Sequence, residues 1–167
     1  ALKPEPAQAF IVSVPTPIDD DGKPVLDFVL AAANSIGPHI QKGTLVILES
    51  TIPPGTTAGA FASALNTASN LNSSDYMIAH CPERVLPGQI MRELVHNDRV
   101  VGGLTAEASE AAVKLYRSFV TGEIVVTDAT SAERVKLSEN IYRDVNIALA
   151  NELAESAEAL GVDVWKA

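Results

Sequence analysis

Leu45-Val46-Ile47-Leu48-Glu49-Ser50-Thr51-Ile52-Pro53-Pro54-Gly55-Thr56 is the stretch whose reading decides the fold. The four apolar residues Leu45–Leu48 read as a short strand covered on both faces, because a strand with one wet face alternates instead. A polar triplet, Glu49-Ser50-Thr51, follows directly. Pro53-Pro54-Gly55 then breaks the chain, and Thr56 stands where it can cap an alanine-rich helix running to about Leu65. The same rhythm of apolar run, polar break and helix recurs on either side. Phe10–Val14 is stopped by Pro15-Thr16-Pro17. A turn-rich Asp19-Asp20-Asp21-Gly22 loop follows, and Asp27 is a candidate cap for a helix through Phe28, Leu30, Ala31 and Ile36 to Gly37-Pro38. Beyond the polar loop 66–75, Tyr76–Ala79 is a third strand and Arg99–Gly102 a fourth. Thr105 starts a helix through Ala112, Leu115 and Phe119, and Ile124–Val126 is a fifth strand. Residues 1–7 are an irregular lead-in. Short apolar strands alternating with helices predict an α/β fold with a doubly wound parallel sheet.

After Asp128 the pattern changes. Thr130 and Glu133 have the spacing of a capping box. A helix free of Gly and Pro is then expected to run to Leu160, with Gly161 as its stop. Tyr142, Val145, Leu149, Leu153, Ala157 and Leu160 recur along it at three and four residues. Helices this long often bridge domains or pair with a partner subunit. The expected organisation is therefore a sheet domain over residues 1–128 and a long-helix domain over 129–167.

Composition narrows the function classes. Of 167 residues, 47% are hydrophobic and 20% charged, which suits a globular chain with a real core. Twelve Lys and Arg against 21 Asp and Glu give a formal charge of -9. That balance argues against nucleic acid as a partner, since phosphate backbones need a basic footprint. No apolar run reaches membrane-spanning length and no signal-peptide core is present. The single cysteine, Cys81, builds neither a disulfide framework nor a CxxC metal motif, and a reducing cytoplasm is the natural expectation. His39, His80 and His96 lack metal-ligand spacing, so no metal is expected and the three are read as surface or loop histidines. Cys81 would need a nearby base or positive field to act as a nucleophile, and a buried structural thiol is the expected state.

Three polar segments directly follow strands: Pro15-Thr16-Pro17, Glu49-Ser50-Thr51 and Pro82-Glu83-Arg84. In an open parallel sheet, ligands bind outside the carboxyl ends of the strands, so these segments are expected to line one crevice. Each has a plainer reading. Pro-Thr-Pro can be a rigid turn, Ser50-Thr51 a helix cap, and Glu83 a solvated loop acid. Their coincidence at one edge favours a site. On the long helix, Lys136, Asn140 and Arg143 are spaced by four and three and fall on one stripe. A cation, an amide and a guanidinium there could hold a hydroxylated anion or a developing alkoxide. The alternative is a solvated face, with Glu139, Asp144 and Glu152 as its counter-charges.

Four motifs occur in order: Val14-Pro15-Thr16-Pro17, Glu49 to Thr56, Cys81-Pro82-Glu83-Arg84-Val85-Leu86-Pro87-Gly88, and Lys136-Leu137-Ser138-Glu139-Asn140-Ile141-Tyr142-Arg143-Asp144-Val145-Asn146-Ile147-Ala148. This series resembles the UDP-glucose/GDP-mannose dehydrogenase family, and the Tyr142–Asn146 stretch is most similar to its UDP-N-acetyl-mannosamine branch. The resemblance covers roughly residues 8 to 167. It implies a partial Rossmann-like sheet followed by the long helix of the central dimerisation domain. It also implies an enzyme that oxidises the C6 alcohol of a UDP-sugar twice, with NAD, to a uronic acid. By the same resemblance, Pro15, Thr16, Ser50, Thr51 and Glu83 lie against the nicotinamide half of NAD. Thr51 also orders catalytic water, and Glu83 belongs to the active site. Lys136 and Asn140 stabilise oxyanion states; they also touch substrate, and Arg84 and Arg143 bind substrate only. The long helix forms the core of a homodimer.

The family's glycine-rich dinucleotide turn is not in this sequence; Gly102-Gly103 is only a pair. Nor does Cys81 lie in the motif that carries the family's thiolate, which falls well beyond the long helix. The expectation is therefore a piece of the enzyme, shortened at both ends and without turnover alone. Two other readings stand beside it. One is a hydroxyacid dehydrogenase of the 6-phosphogluconate type, which also carries a lysine and asparagine four apart; the Val-Pro-Thr-Pro and Pro-Glu-Arg segments speak against it. The other is a non-catalytic module that dimerises or binds nucleotide sugar.

Overall fold

The computed structural model describes residues 3–85 and 88–166. Leu86 and Pro87, within the third motif, lie outside the described residues, as do the first two residues of the lead-in. The described chain falls into two compact units that divide between Lys136 and Leu137.

The first unit is built on a five-stranded sheet in the order β1-β2-β3-β4-β5, with β1 Ala9–Val12, β2 Leu45–Leu48, β3 Met77–His80, β4 Arg99–Gly103 and β5 Ile124–Asp128. β1, β2 and β3 are parallel, with Val12 opposite Leu48 and Leu48 opposite His80. The sheet is not parallel throughout: β4 runs antiparallel to β3 and parallel to β5. The connection from β3 to β4 contains a short helix, α3 Ile90–His96, which has no buried residue although Ile90 and Leu94, and Met91 and Val95, stand four apart.

β2 shows why the sheet needs helices on both faces. All four of its residues are buried. Val46 and Leu48 join one core with Val29, Ala33 and Ile36 of α1 (Asp27–Ile36) and Leu65 of α2 (Ala62–Ser69). Leu45 and Ile47 join the opposite core with Ala112 and Tyr116 of α4 (Ala106–Tyr116). Side chains alternate between the faces of a strand, so consecutive apolar residues feed two cores. In α1 and α4 the buried positions recur every three to four residues, Val29-Ala33-Ile36 and Ala108-Ala112-Tyr116, as one helix stripe requires.

Local capping departs from expectation in three places. Asp27 is the first helical residue of α1 rather than its cap, a position where its charge complements the helix dipole. Thr56 does not cap either: its hydroxyl donates to the Pro53 carbonyl at 2.6 Å, and a π-helical turn, Thr57–Phe61, leads into α2. The long helix α5, Ala129–Ala159, is capped by Asp128, whose carboxylate accepts from the Ser131 amide (2.8 Å) and hydroxyl (2.5 Å). Those bonds hold the Asp128 carboxyl below its ordinary range. Thr130 and Glu133 therefore do not form a capping box. Thr105 does cap α4, accepting from Ala108 N at 3.1 Å. At the junction of β4, β5 and α5, Gly102 is the only size that fits, since a Cβ there would stand 2.2 Å from the Asp128 carbonyl oxygen.

In the second unit, α5 continues from Leu137. Ile141, Tyr142, Val145, Leu149 and Leu153 are all exposed, Tyr142 at 73%. No helix among the described residues is long and apolar enough to cross a membrane.

Candidate active site

The parallel register of β1, β2 and β3 brings the three polar segments out side by side. The ladder continues past the strand ends: Glu49 N donates to the Val12 carbonyl (2.9 Å), Cys81 N to that of Leu48 (3.1 Å), and Glu83 N to that of Glu49 (3.3 Å). Val14-Pro15-Thr16, Glu49-Ser50-Thr51 and Cys81–Arg84 thus form adjacent banks of one sheet edge.

Their side chains divide into two kinds. Among the described residues, the hydroxyls of Thr16 and Thr51 have no hydrogen-bond partner, and both residues are partly exposed. These are groups available to a ligand. Ser50 is different. It is buried, and its hydroxyl donates to the Val14 carbonyl while accepting the Val14 amide, each at 2.8 Å. The Glu83 carboxylate turns back onto its own loop and accepts from Val85 N. Arg84 donates to the Asp98 carbonyl at 3.0 Å, and its own carbonyl accepts from Asn97.

Glu49 leads inward, to a buried polar cluster that the sequence did not reveal. The Tyr116 hydroxyl donates to Glu49 Oε1 at 2.6 Å, and Arg99 Nη1 lies 3.8 Å from the same oxygen. The guanidinium sits 4.9 Å from the Tyr116 ring centre, within cation–π range. The reversed direction of β4 matters here: with Gly102 opposite His80, the start of β4 at Arg99 falls beyond the carboxyl end of β3, on the side where Glu49 lies. Burial raises the Tyr116 hydroxyl well above its ordinary range. Burial also pushes the Cys81 thiol up to about 11, and its solvent exposure is 0%. Cys81 is thus a structural thiol with almost no thiolate at neutral pH.

His80 corrects the expectation of a surface histidine. It is 0% exposed, and among the described residues neither ring nitrogen has a hydrogen-bond partner. Burial lowers it to about 4, so the ring is neutral under ordinary conditions. A histidine between apolar residues in a four-residue strand gave that signal in the sequence, and reading it as surface or loop missed it.

On α5, Ala129, Ala132 and Glu133 form the buried stripe of the first turns. Glu133 is 1% exposed, and its carboxylate accepts from Gly55 N at 2.5 Å and from Thr57 N at 2.7 Å. It closes the amino end of the π-helical turn that Thr56 leaves uncapped. Lys136 follows three residues later, partly buried and, among the described residues, without an ion-pair partner. Asn140 lies on the same helix in the second unit, as does Arg143, which is exposed. No cluster of metal-ligating side chains occurs among the described residues.

Known proteins resemble this chain along nearly its whole length. The sequence is 50% identical over 171 residues to the NDP-N-acetyl-D-galactosaminuronic acid dehydrogenase of Ralstonia solanacearum, covering 98% of this chain and 40% of that protein. It is 51% identical over 168 residues to the UDP-N-acetyl-D-mannosamine dehydrogenase of Methanocaldococcus jannaschii, covering 99% and 38%. The solved UDP-D-ManNAc dehydrogenase of Pyrococcus horikoshii superposes with a TM-score of 0.92 at 48% identity, over 97% of this chain and 38% of that one. The chain thus spans about 40% of the length of the first of these curated relatives. Residues 2–120 match the NAD binding domain, and residues 130–167 the central domain, of one family of models. The chain belongs to the UDP-glucose/GDP-mannose dehydrogenase family.

Proposed function

We propose that the protein to which this chain belongs is an NAD-dependent nucleotide-sugar 6-dehydrogenase that oxidises a UDP-N-acetylhexosamine, of the UDP-N-acetyl-mannosamine type, to its uronic acid. The observation that carries this reading is the row of strand-end segments at one sheet edge, with the unpartnered hydroxyls of Thr16 and Thr51 and, on α5, the unpartnered Lys136. Both relatives at about half identity bear names of N-acetylated sugars, which favours an acetamido substrate over plain UDP-glucose.

NAD, when bound, supplies the hydride acceptor. Pro15, Thr16 and Thr51 offer a rigid rim and two hydroxyls to the nicotinamide half, with Ser50 holding that rim in shape and Glu83 beside it. A strand-end rim of this kind suits a planar ring bound at the carboxyl edge of the sheet. Lys136 and Asn140 donate to the C6 oxygen as it takes on alkoxide character, which is where fixed donors lower a barrier most. Thr51 orders the water that the second oxidation consumes. Arg143 suits the sugar or its pyrophosphate, and Arg84 is assigned to the substrate as well. The exposed stripe Tyr142-Val145-Leu149-Leu153 of α5 supports a homodimer formed through that helix. The buried lone thiol fits a reducing, cytoplasmic setting.

The test is NADH formation by the full-length protein with UDP-N-acetyl-mannosamine, UDP-N-acetyl-galactosamine and UDP-glucose. The reading expects two NADH per molecule of an acetamido sugar. Absence of turnover with every sugar, by a protein that binds NAD, would overturn it.

A further inference from the structure

Glu133 lies 76 and 78 residues from the two amides it binds, and it is more completely buried than any other carboxylate among the described residues. A buried carboxylate with two charge-assisted bonds is held in one orientation. Both partners are backbone N–H groups at the start of a helical turn, where no intrahelical acceptor exists for them. The side chain that should serve them, Thr56, is bonded to Pro53 instead. The cap therefore comes from a different helix.

Each end of this link continues to a residue of the proposed site. From Gly55, the chain runs back through Pro54 and Pro53 to Thr51, and the fixed φ of two consecutive prolines leaves that strap little slack. From Glu133, three helical residues lead to Lys136, a rise of about 4.5 Å along one rigid element. We propose that Glu133 is a positioning residue: by gripping Gly55 and Thr57 it sets the Thr51 loop relative to Lys136 and so holds the two in working register. This rests on the dehydrogenase reading above. Glu133 touches neither cofactor nor substrate; it acts through the loop.

The test uses the full-length protein and Glu133→Gln. Glutamine keeps one acceptor oxygen but turns an NH2 toward the second amide, so one bond is lost and one donor faces another. A misplacement of about 1 Å at a reacting centre costs on the order of a hundredfold. Glu133→Gln is therefore expected to lower kcat between about tenfold and a hundredfold, with KM for NAD and sugar changed less than about threefold. Hydrogen exchange should accelerate at Gly55 and Thr57. In a Lys136→Ala background the same substitution should cost little further, because the register it protects no longer matters.

Pro54→Ala serves as a second variant that leaves Glu133 in place. It loosens only the strap and is expected to lower kcat in the same sense. A conservative core variant, Ile78→Val, supplies the control for general destabilisation. The proposal is overturned if Glu133→Gln speeds exchange at Gly55 and Thr57 with kcat unchanged. It is equally overturned if its kcat loss is matched by Ile78→Val, or adds in full to that of Lys136→Ala. If the wild-type protein itself shows no turnover, the dehydrogenase reading fails before any variant is made, and with it the working register; exchange at Gly55 and Thr57 then reports on the clamp alone.

Discussion

The Ser50 hydroxyl is bonded in both directions to one residue, accepting the Val14 amide and donating to the Val14 carbonyl, each at 2.8 Å. Val14 begins the Pro15-Thr16 loop after β1, and Ser50 precedes Thr51 after β2. This reciprocal pair is therefore what holds two banks of the candidate site at a fixed spacing. Replacing Ser50 with alanine leaves a donor and an acceptor unpaired in a partly buried place. The expected cost is about 1–3 kcal/mol of unfolding free energy, read from urea denaturation. A loss of only a few tenths would mean that the two loops are held together by something else.

Tyr116 and Glu49 join the opposite core to the same edge. Tyr116→Phe removes a 2.6 Å hydrogen bond to a carboxylate without changing the packing of the ring. Bonds to charged groups contribute roughly 1.5–3 kcal/mol, so the unfolding midpoint should fall by several degrees. Arg99→Met should cost more, because it strips Glu49 of its nearby cation in a largely buried setting. Equal midpoints for wild type and Tyr116→Phe would contradict this picture.

His80 predicts an acid limb in stability. Burial holds its folded value at about 4, against 6.5 when unfolded. Above 6.5 the ring is neutral in both states and stability is full. As pH falls below 6.5 the unfolded chain binds a proton that the folded chain refuses, so stability declines until about pH 4 and then levels for this group. At about 1.4 kcal/mol per unit, the decline is on the order of 3 kcal/mol. The carboxyls of Asp75 and Asp128, both held below 3.8, act only at lower pH. Unfolding measured from pH 7 to pH 4 should show this slope in the wild type and lose it in His80→Leu. A slope that survives the substitution would assign the limb to other groups.

The parts of the fold that rest on local pattern were legible in the sequence. Leu45–Leu48 matched its strand to the residue because a continuous apolar run has one reading when strands and helices alternate. Thr105 capped its helix because a cap needs only residues three positions apart. What escaped rests on long-range geometry. The direction of β4 depends on how the segment after β3 travels, and the short apolar pattern of Ile90, Met91, Leu94 and Val95 says nothing of that path. Glu133 fitted a capping box by spacing, yet its partners are 76 and 78 residues away, a relation that no local window contains. His80 and Arg99 are polar residues in short strands, and only the sheet packed around them makes them buried. In the candidate site, the strand-end segments were visible as motifs. That Ser50 serves the scaffold while Thr16 and Thr51 stay unpartnered was not.

The most direct measurement is the steady-state rate of the full-length protein with NAD and UDP-N-acetyl-mannosamine, wild type against Lys136→Ala. If Lys136 steadies the developing alkoxide, kcat should fall by about a hundredfold to a thousandfold while the affinity for NAD stays within about threefold. A variant that turns over at the wild-type rate would contradict the active centre proposed for this chain.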